Sequence, residues 1–102
     1  MAKLIAMYKT PASAEAFDAY YYSTHVPIAK KVPGLRSYEV STGGVGTPAG
    51  PSGYHLIALL GFDSMAAIQQ ALGSPEGAAA AADLGNFAQA GVELLICDTK
   101  EI

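Results

Sequence analysis

The stretch YHLIALLGF, residues 54–62, is too apolar for a β-strand with one wet face. An antiparallel sheet that rests one face on a core and turns the other to water alternates apolar with polar residues. Here Leu56, Ala58 and Leu60 point one way, and Ile57 and Leu59 point the other. KLIAMYK, residues 3–9, behaves alike, with Leu4, Ala6 and Tyr8 opposed to Ile5 and Met7. In GVELLICDT, residues 91–99, Leu94 and Ile96 oppose Leu95 and Cys97. Helices from the same chain cover only one face, so a second apolar surface is expected on the other. The economical candidate is the same sheet of a second copy, packed about a two-fold axis.

Outward from this strand the punctuation is clear. Asp63 or Ser64 caps a helix whose apolar face carries Met65, Ile68 and Leu72. Ser74 and Pro75 then restart a helix through the alanine-rich residues 73–88. On the N-terminal side, GGVGTPAGPSG, residues 43–53, is a long hairpin connection or a flap over a pocket. No Gly-Lys-Ser/Thr and no helix follow it, which excludes a phosphate loop. LRSYEVST, residues 35–42, is a strand, and Ser13 opens a helix that runs to Pro27, where a turn or kink is expected. The order β-α-β-β-α-β predicts an α+β, ferredoxin-like fold: a four-stranded antiparallel sheet, both helices on one face, paired into a dimeric α/β barrel.

The 102 residues fit one domain, 1–102. They are 51% hydrophobic and only 15% charged, against about 25% in an average domain, which again favours a homodimer. A net charge of -3 with no basic stripe argues against nucleic acid. The single cysteine, Cys97, is expected as a buried strand thiol; it excludes an internal disulfide and a cysteine-based zinc site. Two histidines far apart in sequence, without clustered carboxylates, give no metal motif. No apolar run reaches a membrane-spanning length and the N-terminus has no signal-peptide core, so a cytoplasmic protein is expected.

The chemistry concentrates in FDAYYYSTHVPIAKKVPGL, residues 17–35. Phe17, Tyr21 and His25 recur at four-residue steps, with Ile28 next, so all four are expected on one helix face. Tyr20 and Tyr22 flank that stripe. His25 is either a packed residue donating to a backbone carbonyl or a general acid/base lining a pocket of a few hundred Å³. Tyr21 would orient a substrate or stabilise developing charge. Phe17, Tyr22, Tyr8, Tyr54 and His55 are the candidate substrate contacts, His55 being a second histidine at the edge of the glycine-rich loop. No cofactor is called for.

FDAYYYSTHVPIAKKVPGLRSYEV, with an aromatic before a His-x-Pro and a Pro-Gly-Leu turn after it, resembles the EthD family. YHLIALLGFDSMAAIQQALGSPEG resembles the later part of that family's pattern. In this chain the matching positions are Tyr21, His25, Pro27, Pro33 and Gly34; Ile28 stands where the family commonly has leucine. The resemblance implies a dimeric α/β barrel and a place in bacterial degradation of ethyl tert-butyl ether, beside a cytochrome P450 system. It does not imply a reaction, because the barrel superfamily houses isomerases, cyclases, monooxygenases and haem-degrading enzymes. The absence of tryptophan speaks against the haem-degrading branch. Three functions stay open: a cofactor-free proton-transfer enzyme acting on a small apolar molecule, an accessory protein that binds such a molecule for the oxygenase, and a structural dimer.

Overall fold

The computed structural model describes residues 1–102. Its strands are β1 (Ala2–Lys9), β2 (Ser37–Val40), β3 (Gly46–Thr47), β4 (Gly50–Pro51), β5 (Tyr54–Phe62) and β6 (Val92–Asp98). Its helices are α1 (Ala14–Tyr20), α2 (Val26–Ala29), α3 (Met65–Leu72) and α4 (Pro75–Phe87), with a π-helical turn, Tyr21–His25, joining α1 to α2. The main sheet has the order β2-β5-β1-β6 and every pair is antiparallel, as the ferredoxin-like order requires. Strand β2 is shorter than residues 35–42, although Arg36 and Ser41 still donate to the Gly61 and Ile57 carbonyls beyond its ends. The glycine-rich loop is folded on itself, as β3 and β4 form a separate two-residue ladder.

Ser13, Ser64 and Ser74 each accept from a backbone N–H three residues on, capping α1, α3 and α4. Gly77 lies in the first turn of α4 against the Ala71 carbonyl, where a Cβ would collide. This close junction lets α4 follow α3 over the same sheet face. The core sits between that face and the helices, with Tyr8, Leu56 and Phe62 from the sheet against Phe17, Tyr21 and Ile68 from the helical layer.

The opposite face is uncovered in the single chain. Leu59 and Leu95 are exposed on it, Leu95 at 51%, beside half-buried Ile5, Met7 and Ile57. Cys97 is also exposed, not buried as expected, because β6 is an edge strand and this residue looks out from the bare face. No helix is long and apolar enough to cross a membrane.

Two register irregularities break otherwise regular elements. The Val26 N–H reaches the Tyr21 carbonyl, five residues back, so the first helix takes in one extra residue just before Pro27. The wider turn lets the chain pass Pro27 without the expected break, since a proline ring collides with the carbonyl four residues before it in a regular helix. The inserted residue also moves the buried position beyond His25 from Ile28, which is half-buried, to Ala29. The second irregularity is a bulge in β5: Tyr8 pairs with Leu56 and Lys9 with Tyr54, leaving His55 extra.

Candidate functional site

His25 ends the π turn at 5% exposure, and its Nδ1 lies 2.9 Å from Asp83 Oδ2. Asp83 comes from the middle of α4 and is itself 6% exposed. Its Oδ1 accepts from the Tyr20 hydroxyl at 2.7 Å and from Asn86 Nδ2 at 3.0 Å. Burial by itself would raise the Asp83 carboxyl, but the hydrogen bonds from Asn86, Tyr20 and His25 outweigh it and hold the group below the usual carboxylate value. An ionised carboxylate only accepts, so Nδ1 of His25 must be the donor. In the neutral ring the lone pair is then on Nε2, which has no partner in the chain. No buried side-chain polar atom is left unpaired and sealed, so Nε2 retains accessible surface. The pair corresponds to an oriented base, with the carboxylate setting tautomer and ring position.

His25 borders an internal space. A cavity of about 80 Å³ lies between sheet and helices, and among its lining residues only His25 and Gly77 are not hydrophobic. Its volume is smaller than the few hundred Å³ expected. Leu72 and Leu94, exposed although they line it, mark an open end. Tyr8, Tyr21 and Tyr38 also contribute to its wall. Tyr21 is fully buried and shares a 2.7 Å hydroxyl–hydroxyl contact with Tyr38. Burial raises all three phenols above their ordinary pKa; in Tyr8 the neighbouring Tyr38 and Asp83 add to it, and in Tyr21 the bond to Tyr38 does. All three are therefore neutral hydroxyls at ordinary pH.

The expected contacts divide. His25, Tyr21 and Tyr8 line the cavity. Phe17 does not line it: it is a buried spacer packed edge-on against Tyr8 and His55 and stacked on Tyr21. Tyr22, Tyr54 and His55 line a different, polar cleft of about 420 Å³ under the glycine-rich loop, so their assignment to the His25 pocket is corrected. Three local causes account for this. The extra residue in β5 turns His55 toward Asp18 of α1, 2.7 Å from its Nε2. Tyr54, opposite Lys9, sends its hydroxyl to Glu93. Tyr22 is 49% exposed, on the outer side of the π turn.

Asp83, Asn86, Phe87 and Tyr38 are the site residues that sequence patterning missed. Asp83 is the only charge between Glu76 and Glu93 and shares a helix face with Asn86 and Phe87, at i, i+3 and i+4. That isolated acid in an alanine-rich helix was the available signal. Phe87 closes the group, its ring 4.7 Å from that of His25.

Residues 9–91 match the family model described as the EthD domain. An uncharacterized 11.0 kDa protein in the thcB–thcC intergenic region of Rhodococcus erythropolis is 38% identical over 102 residues, covering 100% of this chain and 98% of the relative. The crystal structure of an ethyl tert-butyl ether degradation (EthD) family protein from Bacillus halodurans is 38% identical with a TM-score of 0.90, covering 98% of this chain and 99% of that one. The cofactor-independent oxygenase SnoaB from Streptomyces nogalater, at 12% identity and a TM-score of 0.67 over 99% of this chain and 94% of its own, shares the fold.

Proposed function

The chain belongs to the EthD family, and from that premise we propose that it serves the degradation of a small, largely apolar compound, ethyl tert-butyl ether or one like it, by cofactor-free proton transfer at His25. The observation that carries this reading is the His25–Asp83 pair: a buried carboxylate orients the imidazole and leaves Nε2 free in a site that also has an apolar cavity. A base held in this way has its geometry set before substrate arrives, and positioned general bases accelerate proton removal by about 10²–10⁴-fold. Asp83, Tyr20 and Asn86 act through His25 and are positioning residues. Tyr21 braces the base, its ring centroid 5.4 Å from that of His25.

The test is deuterium incorporation from D₂O into a panel of small apolar compounds, followed by mass spectrometry. The expected result is exchange into at least one compound, reduced about 10²-fold or more in His25→Gln. Exchange that is absent, or equal in the variant, overturns the reading.

The nearly all-apolar cavity wall supports a second reading, a protein that holds a small hydrophobe for a cytochrome P450 system without chemistry of its own. Ligand binding that survives in His25→Gln, with no exchange by either protein, selects it.

We also propose that the working form is a homodimer joined through the bare sheet face, where Leu59 and Leu95 flank Ile5, Met7 and Ile57. Sedimentation velocity would show a dimer that dissociates in Leu95→Lys; a wild-type monomer at tens of micromolar rules the dimer out.

A further inference from the structure

Of the polar groups at the cavity, one is a base and the others are hydrogen-bond donors. The Tyr8 hydroxyl has no partner in the chain, yet it is not a sealed, unpaired atom, so it keeps access to the space its residue lines. The Tyr21–Tyr38 contact uses only one of its two protons. Tyr21 is fully buried, and its O–H has nowhere else to go, so Tyr21 donates and the half-buried Tyr38 keeps its own proton free. Two free O–H donors, Tyr8 and Tyr38, thus share one cavity with one free acceptor, His25 Nε2. The two tyrosines come from β1 and β2, while His25 comes from the helical layer, so donors and base approach from opposite sides.

A carbonyl oxygen accepts two hydrogen bonds, and the carbon beside it carries protons acidic enough for an imidazole once the oxygen is hydrogen-bonded. An unactivated ether or hydrocarbon has no such proton. We infer that the cavity is built for a small enolisable carbonyl compound, its oxygen held by Tyr8 and Tyr38 and its α-carbon turned to His25 Nε2. This rests on His25 acting as a base. The step balances without an oxidant or a second reactant: the α C–H bond breaks, its proton goes to Nε2, its electron pair becomes the C=C bond, and the carbonyl π pair moves to oxygen. The enolate charge is met by two neutral phenols, whose raised pKa values keep them donors. Return of the proton to the same carbon gives exchange; return to a conjugated carbon gives an isomer. A cavity of roughly 150 Å³ holds benzene, so one of about 80 Å³ takes a ketone of similar bulk, such as butanone, when Leu72 and Leu94 part at its open end. For an apolar starting compound, an oxidation must therefore come first and supply the carbonyl.

Two ligands of nearly the same shape test this: butanone, and 2-methyl-1-butene, in which a CH₂ group replaces the carbonyl oxygen. Titration of ¹⁵N-labelled protein, read at His25 and at the backbone around the cavity, is expected to show butanone binding about tenfold tighter, with the preference lost in Tyr8→Phe or Tyr38→Phe. Thermal melts verify that both variants fold, and deuterium exchange into butanone is followed alongside in wild type and His25→Gln. Equal binding of the two ligands, or a preference unchanged in both tyrosine variants, overturns the carbonyl site while leaving His25 to the wider panel. Tyrosine-dependent preference without His25-dependent exchange upholds the carbonyl site and overturns the base. Binding of neither ligand overturns the carbonyl site and likewise leaves His25 to the wider panel.

Discussion

His25 and His55 are each bonded to an aspartate on a helix, and each stands where a regular element takes in one extra residue, yet the two pairs do opposite things. The π turn presents His25 to α4, where Asp83 is buried and already held by Tyr20 and Asn86. The β5 bulge presents His55 to α1, where Asp18 is 48% exposed and makes no other side-chain bond. In the first pair the buried carboxylate takes three hydrogen bonds, and His25 borders an apolar cavity. In the second the carboxylate is solvated and the free nitrogen belongs to a polar cleft. A histidine–aspartate distance therefore says little about function; burial and the second set of hydrogen bonds separate an oriented base from a surface tie.

The largest difference between the pairs is expected in proton transfer. His25→Gln should lower deuterium exchange about 10²-fold or more, and His55→Gln should leave it unchanged, by mass spectrometry on any exchanging compound. Equal losses would erase the distinction. Stability should follow in the same direction. Asp83→Ala removes the partner of buried His25 and half-buried Tyr20, together with exposed Asn86, and should cost about 3 kcal/mol or more, whereas Asp18→Ala should cost about 1 kcal/mol or less, by urea denaturation at one fixed protein concentration.

A smaller effect is expected in acid. The Asp83 carboxyl lies below its ordinary value of 3.8 in the folded chain, so the folded state binds fewer protons there than the unfolded state. Its contribution is full above about pH 4 and is lost as pH falls through the native value. Tyr20→Phe removes one donor and moves that native value up, so acid unfolding should begin at higher pH than in wild type. Circular dichroism from pH 5 to pH 2 checks this. The smallest effect belongs to the caps: Ser13→Ala and Ser64→Ala should each cost about 1 kcal/mol, with no change in exchange.

Much of the fold was legible because it depends on local periodicity. Strands two-sided in Leu, Ile and Val, serine caps, and the Pro-Gly turn at 33–34 are visible without any long-range contact. Legibility ended where two residues far apart in sequence had to meet. His25 was visible in an apolar stripe, but its partner lies 58 residues away in an alanine run whose own pattern is nearly uniform. Tyr54 and His55 stand at the β5 bulge, where one extra residue reverses the faces beyond it, and Tyr22 stands on the exposed side of the π turn; neither displacement is written in the local pattern. Ile28 fails for the same reason, with the helix period counted straight through the π turn.

The sequence by itself determined the order of elements, the α+β class, the apolar character of both sheet faces and the placement of His25 on the inner side of the first helix. These follow from spacing along the chain, which sets the faces of helices and strands before anything packs. Tertiary structure decided that His25 meets Asp83 while His55 meets Asp18, that Tyr21 and Tyr38 are hydrogen-bonded through their hydroxyls, and that the space beside His25 is small. Each of these depends on how α4 packs against the first helix and α3, and on where two single residues are taken up by the backbone. Both are settled by packing across the core, where a misplaced polar group costs more than a displaced register.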